Sequence, residues 1–226
     1  MMTERDAQPA KDSGTFRIGG DVVVDRLGFG AMRVTGPGVW GDPEDPAEAV
    51  RVLRRAYELG VTFIDTADSY GPFVSEQLIK KALHPYADDL VIATKAGLTR
   101  SGPDVWRPVG RPEYLRQQCE LSLRHLGLDC IPLYQLHRID SKVPLADQLG
   151  ELVKLKEEGK IRHIGLSNTN KRLVLAYGQE YGLRVLSKSG WGTMIEMVMP
   201  ADRQTPAGEP AQEEFFPGQS GAANMR

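Results

Sequence analysis

The chain has 226 residues, and 28 Lys and Arg against 30 Asp and Glu give it a formal charge of −2 at pH 7. This length predicts one domain with a sizeable core, and the balanced charge gives no global basic field to attract nucleic acid or an anionic membrane, which argues against a dedicated nucleic-acid binder. Two cysteines and no apolar run of about 18 residues argue against a disulfide-stapled scaffold, a four-thiolate zinc site and a membrane span, so we expect a soluble protein of the reducing cytoplasm.

The first elements follow a short polar segment. Residues 1–15 carry no apolar run typical of a signal peptide, and we predict that they are disordered. Residues 16–18 and 22–24 predict a β-hairpin, because the intervening Gly19 and Gly20 can adopt the positive φ of a tight turn. Residues 27–32 then predict the first strand of a main sheet, with small residues that allow a ligand to approach the backbone.

Short apolar runs and amphipathic stretches alternate from there to about residue 182. The first helix is marked by Asp45 as N-cap, Pro46 at the first helical position and Gly60 just beyond its end. Further strands are predicted at residues 61–65, 90–94, 133–136 and 161–166, and further helices at residues 75–83, 112–126, about 145–158 and 171–180. This alternation is typical of an α/β fold with a parallel sheet.

The spacing of these units indicates a barrel that does not close in the usual way. Each unit takes about 31 residues, as expected for a (βα)8 TIM barrel of roughly 250 residues. Only about 44 residues follow residue 182, whereas three more units need on the order of 90. We therefore predict an incomplete (βα)8 TIM-barrel domain over residues 16–190, with five to six βα units and residues 183–186 as a sixth strand. Residues 191–226 are divergent and polar, and we predict a disordered tail.

Four polar side chains follow the ends of successive predicted strands: Asp65, Tyr70, Lys95 and His137. In a parallel barrel these ends share the rim that carries active sites. An ammonium beside a phenol favours the phenolate and lowers the phenol pKa, and a carboxylate can hold that ammonium in place. An imidazole can orient a substrate carbonyl. The set predicts proton transfer to or from a carbonyl compound.

Taken singly, the same residues have simpler interpretations. Asp65 also fits a helix cap, and Tyr70 before Gly71 also fits a turn. Lys95 is harder to explain, since a strand buried on both faces does not accommodate an unpaired ammonium. Trp106 lies in a stretch rich in Gly and Pro, where it serves either as a lid over a site or as a loop anchor.

Several segments, in this order, resemble the aldo-keto reductase family over roughly residues 16–168. They are residues 27–32 (LGFGAM), 63–71 (FIDTADSYG), 91–95 (VIATK), 121–127 (LSLRHLG) with 133–137 (LYQLH), and 159–168 (GKIRHIGLSN). Beyond about residue 170 the chain is truncated or divergent relative to the family pattern. The resemblance implies a (βα)8 barrel that uses NADPH, with NADH as the alternative, to reduce a small carbonyl substrate.

The resemblance also implies roles for individual residues. The catalytic set would be Asp65, Tyr70, Lys95 and His137, with Tyr70 as the proton donor. The cofactor-binding set would be Gly30, Ala31, Met32, Asp65, Ser167 and Asn168. The substrate pocket would include Trp40, Tyr70 and His137. No metal site is implied.

Three other functions fit the same residues. A Schiff-base aldolase would use Lys95 as its nucleophile. A regulatory barrel would bind the cofactor without rapid turnover, and a truncated derivative would have no activity at all. An incomplete barrel also exposes a sheet edge, so we expect self-association through that edge.

Overall fold

A computed structural model describes residues 8–167 and the backbone of residues 182–188 and 192–198. The strands in these ranges are β1 (Thr15–Ile18), β2 (Val22–Asp25), β3 (Phe29–Gly30), β4 (Phe63–Asp65), β5 (Val91–Ala96), β6 (Leu98–Arg100), β7 (Trp106–Pro108), β8 (Ile131–Leu136), β9 (Ile161–Leu166), β10 (Gly182–Lys188) and β11 (Gly192–Val198). The α-helices are α1 (Pro46–Glu58), α2 (Val74–Leu83), α3 (Pro112–Leu126) and α4 (Leu145–Glu157).

The main sheet is parallel, and its strands lie in the order β3, β4, β5, β8, β9. Within the described residues, these five strands and the helices that connect them confirm the predicted series of βα units. The order places the carboxyl ends of neighbouring strands side by side at one edge. β3 and β9 flank the sheet in the described part of the chain, and self-association through such an edge stays a prediction.

The first strand is shorter than the sequence indicated. It covers only Phe29–Gly30, and Ala31–Val34 form a 3₁₀ helix instead of continuing the strand to Met32. The Ser75 hydroxyl of α2 donates to the Ala31 carbonyl at 3.0 Å. The Ala31 carbonyl therefore bonds to a helix side chain and not to β4, and the pairing of β3 with β4 ends at Gly30.

Helix α1 starts as predicted. The Asp45 carboxylate accepts hydrogen bonds from the backbone amides of Ala47 and Glu48 at 2.8 and 3.0 Å, so it satisfies two N–H groups that lack a partner within the helix. One face of the helix is buried against the sheet, and Leu53 on that face is fully buried. Val52, its neighbour in sequence, faces solvent with 39% of its surface exposed.

Two apolar clusters cover the sheet. The first joins α1, α2 and the end of α3 to β4 and β5, and its fully buried large members are Leu53, Ile64, Ile79, Ile92 and Leu126. The second joins α3 and α4 to β8 and β9 through Leu115, Ile131, Tyr134, Leu136, Leu152, Leu155 and Ile161. The packed helices fix the strands, and with them the positions of the side chains that follow their carboxyl ends.

The N-terminal hairpin β1–β2 is confirmed. Val22 and Val24 pack on Val91 at the start of β5, and Asp21 in the turn pairs with Arg162 of β9 at 2.6 Å. The hairpin therefore covers the amino-terminal ends of the strands and leaves the opposite rim open.

The prediction of disorder for residues 1–15 is wrong over the part that the structure describes. Pro9–Ser13 form a 3₁₀ helix in which Ala10 is 2% exposed and donates its backbone N–H to the Leu59 carbonyl at 3.1 Å. Ala10 packs against Ala56 and Val61. These contacts dock the segment on the end of α1.

Two expectations for the C-terminal part also need correction. Residues 183–186 lie in β10, which pairs with β11 in an antiparallel two-stranded sheet instead of extending the parallel sheet. The tail predicted to be disordered from residue 191 contains β11. The tail from residue 192 pairs with β10 as β11, so part of it adopts strand structure. The predicted helix at 171–180 and residues 201–226 lie outside the described residues.

In the part of the chain that the structure describes, no helix is long and apolar enough to cross a membrane.

Leu53→Ala is expected to lower the free energy of unfolding by about 2–5 kcal/mol, because it leaves a cavity in the cluster between α1 and the sheet. Val52→Ala removes a similar side chain from the exposed face of the same helix, and we expect a change of about 0.5 kcal/mol or less. Urea titration followed by circular dichroism measures both. Equal losses for the two variants would contradict the described orientation of α1.

Candidate active site

The predicted catalytic side chains converge at the carboxyl edge of the parallel sheet. Asp65 is the last residue of β4, Lys95 lies near the end of β5, and His137 follows β8. Tyr70 lies in the loop between β4 and α2. The backbone holds this loop against β5, since Thr66 N–H donates to the Ala93 carbonyl at 2.8 Å and Asp68 N–H donates to the Lys95 carbonyl at 3.1 Å.

The Lys95 ammonium is the centre of the cluster. Its Nζ donates to Asp65 Oδ2 at 2.5 Å, to the Thr66 carbonyl at 2.8 Å and to Tyr70 Oη at 3.4 Å. These three partners match the three N–H groups of an ammonium. The Lys95 side chain is 5% exposed, against 34% for Asp65. Burial lowers the pKa of Lys95, and the Asp65 carboxylate opposes this effect, so the pairing favours the charged form.

Gln135 completes the surroundings of Asp65, and the sequence analysis missed it. Its side-chain amide donates to Asp65 Oδ1 at 3.0 Å, so both carboxylate oxygens have a partner. Gln135 pairs with Lys95 across β5 and β8 and lies two residues before His137. The two-residue period of a strand puts positions 135 and 137 on one face, and this signal could have identified it.

The environment of Tyr70 differs from the expectation. The side chain is buried, and burial raises the pKa of Tyr70 above its ordinary value, with the Asp65 charge acting in the same direction. The net direction is therefore opposite to the lowering expected from Lys95 alone. The cost of desolvating a phenolate outweighs an ammonium that is already paired with a carboxylate. The phenol consequently keeps its proton at neutral pH, as a proton donor must.

His137 is also held neutral. Burial lowers the pKa of His137 to about 3, and the positive charges of Lys95 and Arg138 act in the same direction. Nδ1 of the ring lies 3.3 Å from Ser69 Oγ. In the tautomer in which Nδ1 accepts a hydrogen bond from Ser69, the proton is on Nε2, which can then donate to a carbonyl oxygen.

Three aromatic rings form one wall of the site. The ring centroids of Tyr70 and His137 are 5.7 Å apart, and Trp106 lies 6.3 Å from Tyr70 and 6.5 Å from His137. The sequence allows two roles for Trp106, a lid over the site or an anchor of its loop. The structure places its ring beside that of Tyr70. Trp40, expected in the pocket wall, has its ring centroid 5.8 Å from the guanidinium carbon of Arg100, and its place in the pocket stays a prediction.

The residues expected to bind a cofactor lie at the same edge. Gly30 pairs with Asp65 across β3 and β4, and a Cβ built on Gly30 would meet open space. Met32 packs against the apolar cluster that contains Tyr70. Ser167 follows β9, and its N–H donates to the Leu136 carbonyl at 3.0 Å. Ala31 is buried beneath them, and Asn168 lies outside the described residues. The open surface at Gly30 and the accessible part of Asp65 leave room for a flat ring at this edge.

The sequence model of the aldo/keto reductase family matches residues 26–183, more than half of the chain. The chain belongs to the aldo/keto reductase family. An uncharacterised oxidoreductase of Schizosaccharomyces pombe is 55% identical over 161 residues, which are 71% of this chain and 52% of that protein. The pyridoxine 4-dehydrogenase of Escherichia coli is 43% identical over 162 residues, 69% of this chain and 56% of that protein.

Solved structures of aldo-keto reductases agree with this assignment. The holo form of one from Bacillus halodurans is 32% identical with a TM-score of 0.62, covering 71% of this chain and 52% of that one. One from Klebsiella pneumoniae in complex with NADPH is 28% identical with a TM-score of 0.57, covering 71% and 51%. These similarities confirm the (βα)8 TIM-barrel type of fold. The chain spans about half the length of the relatives that it matches.

We expect the His137 ring to show no titration between about pH 5 and 8. Because its pKa is about 3 in the folded state and about 6.5 in an unfolded chain, the unfolded state binds the proton first as the pH falls. The stability that the neutral ring contributes is complete above about pH 6.5 and is lost as the pH falls towards 3. Histidine ring NMR resonances measure this, with His137→Gln to assign the signal. A His137 signal with a midpoint near pH 6.5 would contradict the described burial.

Proposed function

We propose that this chain is a nicotinamide-dependent carbonyl reductase that converts a small aldehyde or ketone to an alcohol, with Tyr70 as the proton donor. The observation that carries the proposal is the buried Lys95 ammonium, which contacts both Asp65 and Tyr70 Oη. Membership of the aldo/keto reductase family supports the same chemistry. NADPH is the proposed cofactor, with NADH as the alternative, and an aldo-keto reductase with NADPH bound is among the similar structures.

The cofactor, when bound, supplies the hydride that reduces the carbonyl carbon. Side chains of the protein supply the proton that the carbonyl oxygen receives. Tyr70 Oη gives its proton to the carbonyl oxygen, and the Lys95 ammonium at 3.4 Å stabilises the phenolate that remains. His137 donates a hydrogen bond to the same carbonyl oxygen and orients it towards Tyr70. The alcohol leaves, and Tyr70 takes a proton from solvent.

The cofactor site belongs to the proposal as well. Gly30, Ala31, Met32, Asp65, Ser167 and Asn168 are proposed to hold the nicotinamide end. Space at Gly30 and the partial exposure of Asp65 support the placement of a ring across β3 and β4. The sparse use of cysteine supports a reducing cytoplasmic location.

The substrate class is proposed from the site. The rings of Trp106 and His137 lie against that of the proton donor Tyr70, and this aromatic surface suits an apolar carbonyl compound. Trp40 is proposed to contribute at the outer end of the pocket. One relative, the pyridoxine 4-dehydrogenase of Escherichia coli, supports the inclusion of aromatic aldehydes.

Tyr70→Phe keeps the ring and removes the proton, so we expect turnover to fall by roughly 10²- to 10⁴-fold with little change in nucleotide affinity. Lys95→Met should cause a similar loss, and the double variant should lose less than the product of the two, because both act on one proton transfer. NADPH oxidation with a test aldehyde measures turnover. Tyr57→Phe, which removes a surface phenol bonded to Asp89 at 3.0 Å, is the matched control and should keep full activity.

Other outcomes would separate the alternatives. Activity that survives Tyr70→Phe but disappears with Lys95→Met, together with borohydride trapping of substrate on Lys95, would replace the reductase by a Schiff-base aldolase. A wild-type chain that binds nucleotide but reduces no aldehyde would indicate the regulatory barrel. A wild-type chain without activity or nucleotide binding would indicate a truncated derivative.

A further inference from the structure

Arg100, the last residue of β6, is absent from the proposed mechanism but bonds to the loops that carry Trp40, Tyr70 and Trp106. It pairs with Trp106 across the hairpin β6–β7. Its guanidinium donates five hydrogen bonds, all to backbone carbonyl oxygens: Gly38 at 2.8 Å, Val39 at 2.8 Å, Ser69 at 2.9 Å, Val105 at 2.9 Å and Gly102 at 3.3 Å.

These acceptors come from three separate segments. Gly38 and Val39 precede Trp40 in the loop after β3, Ser69 precedes Tyr70, and the other two lie in the β6–β7 hairpin. Charge-assisted bonds of this kind are stronger than neutral ones and fix geometry through the planar guanidinium. Arg100 therefore holds the loop of the proton donor, the loop of Trp40 and the hairpin of Trp106 in one arrangement.

The guanidinium also stacks on an aromatic ring. Its central carbon lies 3.5 Å from the ring centroid of Trp106, a distance typical of a close cation–π contact. Trp106 thus has one face against Arg100, and its ring is steeply inclined to those of Tyr70 and His137, at 83° and 67°. The position of this ring relative to the proton donor depends on the guanidinium.

We propose that Arg100 is the positioning residue of the substrate pocket, and that by fixing Trp106 beside Tyr70 it makes the enzyme prefer flat aromatic aldehydes to small aliphatic ones. This inference rests on the proposed reductase function. An immobile indole offers a planar substrate a ring contact in a defined place, whereas a small aliphatic aldehyde gains little from it. A lysine cannot replace Arg100, because an ammonium has three donors instead of five and no planar face to stack on Trp106.

The first test measures how accessible the Trp106 ring is to a fluorescence quencher, and it needs no cofactor. The chain has tryptophans at positions 40, 106 and 191, so in a Trp191→Phe background the fluorescence comes from Trp40 and Trp106, and Trp106→Phe separates these two. We expect acrylamide quenching of the Trp106 signal to increase about twofold or more in Arg100→Lys and Arg100→Met. Arg107→Lys, an exposed arginine of the same hairpin, is the matched control and should leave quenching unchanged.

The second test measures the selectivity of the enzyme for an aromatic over an aliphatic aldehyde. The ratio of kcat/KM for benzaldehyde to kcat/KM for propanal should fall by roughly 3- to 10-fold in both Arg100 variants, mainly through a higher KM for benzaldehyde. Arg107→Lys should keep the wild-type ratio. Arg100→Lys serves as the conservative variant if Arg100→Met does not fold, and circular dichroism monitors folding.

Each result decides the proposal. Unchanged quenching in folded Arg100→Lys would overturn the positioning role. Increased quenching with an unchanged selectivity ratio would overturn the role in specificity, and so would an equal loss of kcat/KM for both aldehydes. A wild-type chain that reduces neither aldehyde would count against the proposed function, whereas the fluorescence test would still decide whether Arg100 positions Trp106.

Discussion

The Lys95 ammonium is buried at the carboxyl edge of the sheet and bonded to Asp65 and to a backbone carbonyl, and the rest of the site is arranged around it. An unpaired ammonium in this place would cost several kcal/mol, so its partners must be present and well aligned. This requires β4 and β5 to lie side by side in their observed register. The same requirement fixes the loop after β4, because Thr66 also accepts a hydrogen bond from Lys95, and that loop carries Tyr70.

The ion pair concentrates charge in one place, while burial keeps the neighbouring groups neutral. The pKa of Tyr70 is raised and that of His137 is lowered, in each case with burial as the larger cause. The site at neutral pH therefore contains a protonated phenol and a neutral imidazole beside one ammonium and one carboxylate. This distribution suits proton donation to a carbonyl oxygen, because the ammonium is already in place when the phenolate forms.

Much of the fold could be predicted from local signals. The bounds of α3 were predicted to the residue, because an apolar stripe runs from Leu115 to Leu126 and Gly127 ends the helix with φ of 72°. The strand at residues 161–166 was also predicted to the residue. The shortness of β3 could not be predicted, since it depends on a hydrogen bond from Ser75 to Ala31 across the structure.

The site was predictable to a similar degree. Asp65, Lys95 and His137 follow strand ends, so topology alone brings them together. Gln135 and Arg100 act through long-range hydrogen bonds, and those of Arg100 go to backbone carbonyls that leave no trace in the sequence. The direction of the Tyr70 pKa shift depends on how deeply the phenol is buried, and spacing along the chain does not contain that information.

The most direct test of this account is a double-mutant cycle on the unfolding free energy with Asp65→Asn, Lys95→Met and the double variant. Asp65→Asn should lose about 3–5 kcal/mol, because it leaves the buried Lys95 ammonium without its carboxylate. Lys95→Met should lose less, about 1–2 kcal/mol, because the Asp65 carboxylate is 34% exposed and keeps its hydrogen bond from Gln135. The double variant should lose clearly less than the sum, with a coupling of about 1 kcal/mol or more. Losses that add within about 0.5 kcal/mol would show that the two groups do not depend on each other, and this result would contradict the account.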